Sequence, residues 1–254
     1  MQKGSLASSS HGRMILLRNG KRIGVIIPAL NEEGAIGKVI AAVPDWVDCV
    51  VVADNGSRDS TSEVARQAGA QVVSENERGY GAACLAGLRA LPPSDIIVFL
   101  DGDYSDYPEE MEYLVDPILR AGADMVIGSR VLGGAERGSL TPQQVFGNWL
   151  ATRLIGFIWG THFTDLGPFR AISEDKLAAL EMVDRNFGWT VEMQVKAAKA
   201  GFKCLEVPVR YRQRIGVSKV SGTISGTLKA SAKILSVIGW HAQSGSTARS
   251  ARAD

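Results

Sequence analysis

Short apolar runs alternate with longer segments of helical periodicity through the first half of the chain. The runs are rich in Val and Ile and too short for helices, which is typical of strands buried on both faces of a sheet. This alternation predicts βαβ units, and therefore a three-layer α/β fold in which helices cover both faces of a mainly parallel sheet. The predicted strands are Arg22–Pro28, Cys49–Asp54, Gln71–Ser74, Ile96–Asp101 and Met125–Ser129.

Four helical patterns fill the gaps between these strands. Two of them begin beside clear start signals, Asp59-Ser60-Thr61 in one case and Pro108 followed by two glutamates in the other. The predicted helices are Glu33–Val43, Ser60–Ala68, Gly81–Leu91 and Pro108–Ala121.

The second half of the chain is less regular. Val145–Gly160 is apolar apart from Asn148, Thr152 and Arg153, and this pattern fits either a core helix or a lipid-facing groove. Three further elements are predicted, a helix, a strand-like run that ends in basic residues and an amphipathic helix, at Trp189–Ala200, Cys204–Tyr211 and Ile224–Trp240.

These patterns predict one α/β domain over residues 22–222, followed by an amphipathic helix over residues 223–242. Residues 1–21 and 243–254 are predicted to be a disordered arm and tail, because both ends are dominated by small and polar residues. No stretch reaches the roughly 18 uninterrupted apolar residues of a membrane span. Met1–Arg13 also lacks the apolar core of a signal peptide.

The charge balance and the cysteine positions exclude some classes of binding partner and of site. Lys and Arg number 28 against 27 Asp and Glu, so the near-neutral chain lacks the basic excess of a nucleic-acid-binding protein. Cys49, Cys84 and Cys204 are widely spaced among apolar neighbours, which predicts small buried side chains rather than disulfides or metal ligands. A reducing, cytoplasmic location fits this cysteine usage.

Polar residues cluster directly after the carboxyl ends of three predicted strands, where open α/β sheets bind ligands. One such cluster alone would be a turn or a helix cap. Three clusters at the same sheet edge predict a shared ligand site. They are Pro28–Glu33, Asp54–Asp59 and Asp101–Asp106.

The third cluster contains the sharpest chemical signal, Asp101-Gly102-Asp103. The glycine allows a tight turn, so both carboxylates can face one ion. Mg²⁺ and Mn²⁺ take hard oxygen ligands, commonly one or two carboxylates together with substrate phosphates. An isolated motif of this kind would be a solvated turn, but its position after a buried strand favours a metal site.

Two common nucleotide-binding classes are disfavoured. A dinucleotide site needs Gly-x-Gly-x-x-Gly after the first strand, where this chain has Pro28-Ala29-Leu30-Asn31-Glu32. The nearest candidate begins at Gly79, follows a different strand and lacks the third glycine. The Gly-Lys-Ser/Thr signature of a phosphate-binding loop is also missing.

Taken together, the ordered motifs resemble glycosyltransferase family 2, in the branch of dolichyl-phosphate mannosyltransferase and bacterial polyprenyl-phosphate glucosyltransferases. The resemblance extends from Arg22 to Lys233. It rests on the motifs Pro28–Glu33, Asp54–Thr61, Arg78–Ala82, Asp101–Pro108, Gly128–Arg130, Thr164–Arg170 and Val207–Gly222.

This resemblance implies a GT-A fold, a nucleotide-sugar donor and a divalent metal, Mg²⁺ or Mn²⁺, held by Asp101 and Asp103. Arg130 would face the acceptor phosphate, Asp165 would be the catalytic base, and Arg212 and Lys219 would lie at the diphosphate and the acceptor phosphate. The substrate-binding residues that it implies are Pro28, Ala29, Asn31, Glu32, Asp54, Gly79, Asp101, Gly102, Asp103 and Arg130.

The chain departs from the family pattern at two places. Relatives often have Gln two residues after the second metal Asp, where this chain has Ser105, so Asp106 or water would take its place. Many relatives also carry Arg before Gly147-Asn148, whereas this chain has Gln143-Gln144. The second departure leaves a phosphorylated acceptor less strongly indicated.

Several alternatives stay open at this stage. Asp165 is a base if the acceptor is a hydroxyl, and a positioning group if the acceptor is an already ionised phosphate. Glu192 is a second candidate base, although a solvated helix face is the simpler interpretation. The helix Ile224–Trp240 either meets a membrane surface or packs on the domain.

The acceptor is either a polyprenyl phosphate met at the membrane or a soluble hydroxyl compound. A homo-oligomer, the sugar and the choice between UDP and GDP are also open. Two rival classes are a non-catalytic nucleotide-sugar-binding protein and a sugar-phosphate nucleotidyltransferase. The latter needs a basic, glycine-rich loop after the first strand, where this chain has acidic residues.

Overall fold

A single seven-stranded sheet organises the chain, and the predicted α/β fold is confirmed. The computed structural model describes residues 18–216 and 232–243. The strand order is β3-β2-β1-β4-β6-β5-β7, and only β6 runs antiparallel to its neighbours among the described strands. The strands are β1 Ile23–Ala29, β2 Cys49–Asp54, β3 Gln71–Ser74, β4 Ile96–Phe99, β5 Met125–Ser129, β6 Arg170–Ser173 and β7 Cys204–Pro208.

All five strands predicted in the first half are confirmed, with β4 ending two residues earlier than expected. The strand-like run Cys204–Tyr211 is regular only to Pro208. Strand β6 was not predicted, because it has only four residues and begins at Arg170, the last residue of the motif Thr164–Arg170.

The helices cover both faces of the sheet. Residues 108–110 form a 3-10 turn before α4 instead of its first turn, and α6 begins at Pro142 behind a capping box made by Thr141 and Gln144. The helices are α1 Ile36–Ala42, α2 Thr61–Gln67, α3 Tyr80–Ala90, α4 Met111–Ala121, α5 Arg130–Gly133, α6 Pro142–Trp159, α7 Glu174–Leu180, α8 Trp189–Lys199 and α9 over residues 232–243.

The core consists of two apolar layers, one on each face of the sheet. Alternate residues of β4 divide between them: Val98 lies in the layer beneath α1 and α4, whereas Ile97 and Phe99 lie in the other. In that second layer the edge of Trp189 meets the ring of Phe99 with centroids 6.0 Å apart. Burial on both faces explains the continuous apolar runs of the central strands.

The two ends of the described chain pack on this domain. Residues 18–21, part of the predicted arm, form a turn in which Arg18 lies over the Trp46 ring and donates to Asp116. In α9, Ile238 is buried against the α8 layer and Lys233 Nζ lies 2.7 Å from Asp184.

The predicted helix Ile224–Trp240 falls partly outside the described residues, and its described part packs on the domain. No helix in residues 18–216 or 232–243 has the length and apolarity to span a bilayer. The three cysteines are free thiols. Cys84 is buried as predicted, while Cys49 and Cys204 are half-buried.

Candidate active site

Two carboxylates follow β4 at the carboxyl edge of the sheet. Asp103 is buried, and its Oδ1 accepts hydrogen bonds from the backbone N–H and the hydroxyl of Ser105. Asp101 accepts a 3.0 Å hydrogen bond from the Tyr80 hydroxyl. Burial, and then repulsion from Asp103, raise the pKa of Asp101 to about 7. The two carboxylates therefore repel each other in a buried position.

A third carboxylate, Asp106, lies in the same loop. It is 1% exposed, and its Oδ1 has no hydrogen-bond partner within the described residues. Burial, followed by repulsion from Asp101 and Asp103, raises its pKa well above the ordinary value. Ser105, at the position where relatives have Gln, is occupied in capping Asp103.

This donor set fits a divalent cation. A buried, mutually repelling acid pair is stabilised by a doubly charged ion, and carboxylate oxygens are the ligands that Mg²⁺ and Mn²⁺ prefer. No group of three His, Cys, Asp or Glu side chains in the described part of the chain could hold a metal alone. Water molecules or ligand oxygens can complete the coordination of such an ion.

A cavity of about 260 Å³ opens beside the acid pair. Seven of the predicted substrate-binding residues line it, namely Pro28, Ala29, Glu32, Gly79, Asp101, Gly102 and Asp103. Asn31 and Asp54 do not line it. Asn31 accepts from the Arg58 backbone, and Asp54 accepts from the Ser57 backbone and the Ser62 hydroxyl. Both side chains therefore hold the segment after β2 by hydrogen bonds and do not face the cavity.

Residues that were not predicted complete the wall. Asn55, rather than Asp54, lines the cavity, and its Oδ1 accepts from the Gly79 backbone at 2.8 Å. Gly79 has a φ of 151°, and a Cβ there would come within 2.0 Å of the Arg185 carbonyl oxygen. Only glycine fits this close approach. The segment that follows α7 is thereby brought to the cavity, where it contributes Asn186 and Phe187.

Three arginines after β7 align with the acidic loop after β4. Arg210 pairs with Glu110, Arg212 donates to the Asp106 carbonyl at 2.9 Å, and Arg214 lies 3.2 Å from Asp103. The segment after β7 runs antiparallel to the loop after β4. Every second residue of the former, each an arginine, therefore contacts an acidic residue of the latter. Arg214 also lines the cavity, although the sequence analysis singled out Arg212 and Lys219 of this basic segment and not Arg214.

Arg212 is packed between two aromatic rings. Its guanidinium carbon lies 3.6 Å from the centroid of Tyr104 and 3.8 Å from that of Tyr107. This stacking holds the side chain flat against the loop that carries the acid pair. Lys219, the other predicted cation of this segment, lies outside the described residues.

Arg130 and Asp165 form a buried, bidentate ion pair on the far side of β6. Arg130 follows β5 directly, and its Nε and one terminal nitrogen donate to the two Asp165 oxygens at 2.8 and 2.7 Å. The Arg130 backbone N–H also donates to Asp165. Asp165 is only 1% exposed. The predicted base and the predicted phosphate-binding arginine are thus partners of each other.

Side chains from several elements hold the loop that carries Asp165. Glu206 of β7 accepts hydrogen bonds from the Thr164 and Asp165 backbones. Asn148 of α6 donates to the Thr164 carbonyl and accepts from the Leu166 backbone at 2.8 Å. From below, Arg170 and Gln194 donate to the carbonyls of Gly167 and Asp165, respectively. The position of Asp165 is therefore fixed by α6, β7 and α8 together.

A larger groove of about 950 Å³ begins at Arg130 and follows α6. Trp149 and Phe157 line it and are 51% and 89% exposed. Gln143 and Gln144 lie at its polar end. The predicted stretch Val145–Gly160 is therefore a helix whose inner residues, such as Ile155, are buried while others face an open apolar groove.

Glu192 is not a solvated helix residue. It is 2% exposed, accepts from the Val183 and Asp184 backbones, and pairs with Lys196. These contacts tie the segment after α7 to α8. Glu192 is not among the residues that line the cavity or the groove, and its contacts are those of a structural anchor.

Comparison with known proteins places this geometry in a family. The family described as glycosyl transferase family 2 matches residues 24–179. That range contains the acid pair, Arg130 and Asp165. The chain belongs to glycosyltransferase family 2.

Relatives of this family 2 glycosyltransferase align along most of their length. An uncharacterized glycosyltransferase of Mycobacterium tuberculosis is 37% identical over 222 residues, which cover 83% of this chain and 95% of the relative. A dolichyl-phosphate hexose transferase of Haloferax volcanii is 35% identical over 210 residues, covering 80% of this chain and 89% of the relative.

Solved structures extend the likeness to the fold. Glucosyl-3-phosphoglycerate synthase from Mycobacterium tuberculosis, crystallised with Mn²⁺, uridine diphosphate and glucosyl-3-phosphoglycerate, superposes with a TM-score of 0.69 at 27% identity. The match covers 87% of this chain and 81% of that one. The α/β fold of this family 2 glycosyltransferase is therefore the GT-A fold that the sequence resemblance implied.

Proposed function

We propose that the protein is an inverting, metal-dependent hexosyltransferase that moves a sugar from a UDP- or GDP-sugar to a polyprenyl phosphate. One observation carries the proposal: a buried acid pair after β4 borders a cavity, and a larger, mostly apolar groove starts at Arg130, which follows β5 two strands away in the sheet.

On the donor side, Asp101 and Asp103 would hold Mg²⁺ or Mn²⁺. Such an ion neutralises charge on a departing nucleoside diphosphate. The cavity walls from Pro28, Ala29 and Asn55 would hold the nucleoside, while Tyr80 fixes Asp101 in place. Arg212 and Lys219 would close over the phosphates.

On the acceptor side, the ion pair of Arg130 with Asp165 favours a phosphate over a hydroxyl. Both oxygens of the Asp165 carboxylate already accept hydrogen bonds from Arg130. An acceptor phosphate needs no base, because its second pKa is about 6 and it is mostly ionised near neutral pH. Asp165 would then orient Arg130 toward the acceptor.

The groove supports an amphipathic acceptor met at a membrane surface. Phe146, Trp149 and Phe157 leave an apolar strip of α6 exposed, and Trp240 of α9 is 62% exposed. Exposed aromatic residues on amphipathic helices bind membrane interfaces reversibly. The dolichyl-phosphate hexose transferase among the relatives agrees with a lipid-phosphate acceptor. We therefore expect a cytoplasmic protein that contacts the membrane peripherally.

A soluble acceptor is the second candidate. Gln143 and Gln144, at the polar end of the groove, provide no positive charge for a lipid phosphate. The glucosyl-3-phosphoglycerate synthase structure also holds a small, water-soluble product.

The test has two stages. UDP- and GDP-sugars are first screened with Mn²⁺ by thermal shift, since a ligand that binds the folded state raises its apparent stability. The donor that stabilises the protein is then radiolabelled and offered with polyprenyl phosphate, 3-phosphoglycerate or simple sugars. Label in the lipid fraction together with free nucleoside diphosphate supports the proposal.

The other outcomes separate the alternatives. Transfer only to soluble compounds, without sedimentation on anionic liposomes, identifies the second candidate. Release of pyrophosphate would indicate a nucleotidyltransferase. Donor binding without any product would indicate a non-catalytic protein.

A further inference from the structure

Arg214 bridges two carboxylates that belong to different walls of the donor cavity. One terminal nitrogen lies 2.9 Å from Glu32 Oε1, after β1, and the other lies 3.2 Å from Asp103 Oδ2, after β4. Glu32 and Asp103 are 7% and 5% exposed as side chains, and Arg214 is 29% exposed. The guanidinium is therefore a largely buried cation inside the cavity.

The backbone around Arg214 fixes this position. The Ile215 N–H donates to the Asp103 carbonyl at 2.9 Å, and the Arg212 N–H donates to the Ser105 carbonyl at 2.9 Å. Two main-chain bonds on either side of Arg214 thus dock its segment on the acidic loop. The contact between Arg214 and Asp103 is therefore part of this backbone docking.

Both carboxylate oxygens of Asp103 have partners in this arrangement. Its Oδ1 accepts from the Ser105 backbone and hydroxyl, and its Oδ2 faces Arg214. A divalent ion held by Asp101 and Asp103 would have to take one of these oxygens. It would also meet the positive charge of Arg214 at close range.

We propose that Arg214 is an internal cation that competes with the divalent metal for Asp103. In the metal-free protein Arg214 compensates the acid pair, and metal binding requires it to leave Asp103. The protein consequently binds metal weakly until a donor diphosphate supplies further oxygen ligands. This inference rests on the proposed function only for the assignment of the metal to Asp101 and Asp103.

The experiment measures the binding of Mn²⁺ alone, by the loss of its free-ion electron paramagnetic resonance signal on titration with protein. Arg214→Gln removes the competing charge and keeps most of the side-chain volume. We expect the Kd for Mn²⁺ to fall about tenfold, because metal binding no longer breaks charge-assisted contacts. Arg214→Lys keeps the charge but cannot bridge both carboxylates, so its Kd should lie between the two.

Arg210→Gln is the matched control, because it also removes an arginine–carboxylate pair from this segment, but outside the cavity. Its Kd for Mn²⁺ should stay within about twofold of the wild-type value. Adding Asp103→Asn to Arg214→Gln should abolish the gain, which ties the gain to the acid pair. In EDTA, Arg214→Gln should melt below the wild type, and Mn²⁺ should raise its Tm by more.

Unchanged or weaker Mn²⁺ binding by folded Arg214→Gln protein overturns the inference, as does the absence of Mn²⁺ binding in every variant. An equal gain in Arg210→Gln also overturns it, since the effect would then be general electrostatics. These readouts use no sugar donor. A protein that transfers no sugar but gains Mn²⁺ affinity on Arg214→Gln would disprove the proposed function and leave the competition intact.

Discussion

The cavity beside the acid pair, which we propose to hold the donor, and the groove along α6, which we propose to hold the acceptor, lie on either side of β6. The two are built in opposite ways. The cavity is small and its charged groups are mutually engaged: Asp103 contacts Ser105 and Arg214, and Asp101 contacts Tyr80. The groove is nearly four times larger, and apolar side chains such as Phe157 remain exposed along it. In the second region, the fixed charges of Arg130 and Asp165 lie at the start of the groove.

This contrast explains how tolerant each region should be to substitution. A polar network in a buried site loses much when one member is removed, because its partners are left unsatisfied. An exposed apolar wall loses only a share of its contact area. Mutations should therefore have large, all-or-none effects at the cavity and graded effects along the groove.

The largest effect is expected from Asp103→Asn. The variant loses a negative charge from the acid pair, so metal-dependent turnover should fall by at least about a thousandfold. Steady-state release of nucleoside diphosphate measures it, and EDTA treatment of the wild type should give the same loss. Full activity in EDTA would show that the acid pair holds no metal.

Asp165→Asn tests whether the buried ion pair between Asp165 and Arg130 is as sensitive to substitution as the polar network of the cavity. Removing one partner of a buried pair should lower the free energy of unfolding by about 3 kcal/mol. Misplacement of Arg130 should lower turnover about a hundredfold. Urea unfolding and initial rates measure the two effects, and Arg130→Lys serves as the charge-conserving comparison. A variant with unchanged stability would contradict the structural importance of the pair.

Arg212→Ala should have an intermediate effect. Loss of the stacked guanidinium should lower turnover about tenfold and stability by about 2 kcal/mol or less, because the tyrosine rings that it covers become exposed. Lys219→Ala is expected to lower turnover without unfolding the protein. Circular dichroism melts and rates distinguish the two contributions. If both variants keep the wild-type rate, the basic segment does not close over phosphates.

Phe157→Ser should have the smallest effect, and only the KM for the acceptor should change. Phe157 is 89% exposed, so stability should change by less than about 0.5 kcal/mol. The KM for a long-chain polyprenyl phosphate should rise about fivefold while the KM for the donor stays constant. Val183→Ser, an exposed apolar residue outside both cavities, is the control. An equal change in that control would rule out a groove-specific role for Phe157.

The sequence predicted the donor side far better than the acceptor side. Strand ends are local features, so the apolar run Ile96–Phe99 followed by two aspartates was enough to locate the acid pair. Parallel pairing of β1 with both β2 and β4 then brings the predicted clusters to one edge. Seven of the predicted substrate-binding residues line the cavity for this reason.

What the sequence left undetermined depends on contacts between distant segments. Asp54 and Asn55 are neighbours in the chain, and only the packing of the loop after β2 decides that Asn55 faces the cavity. The roles of Arg214 and Glu206 likewise require the register between β7 and its surroundings. The buried anchoring role of Glu192 could not be inferred from helical periodicity alone.

Strand β6 also sets the order in which the protein can mature during synthesis. It follows β5 in the chain but is inserted between β4 and β5, and the described part of β5 pairs only with β6 and β7. A nascent chain that ends after β5 can assemble β3-β2-β1-β4 and present the acid pair, but β5 has no strand to join. The part of the sheet that carries the acid pair is therefore synthesised first, and the sheet can be completed only when the last third of the chain has emerged.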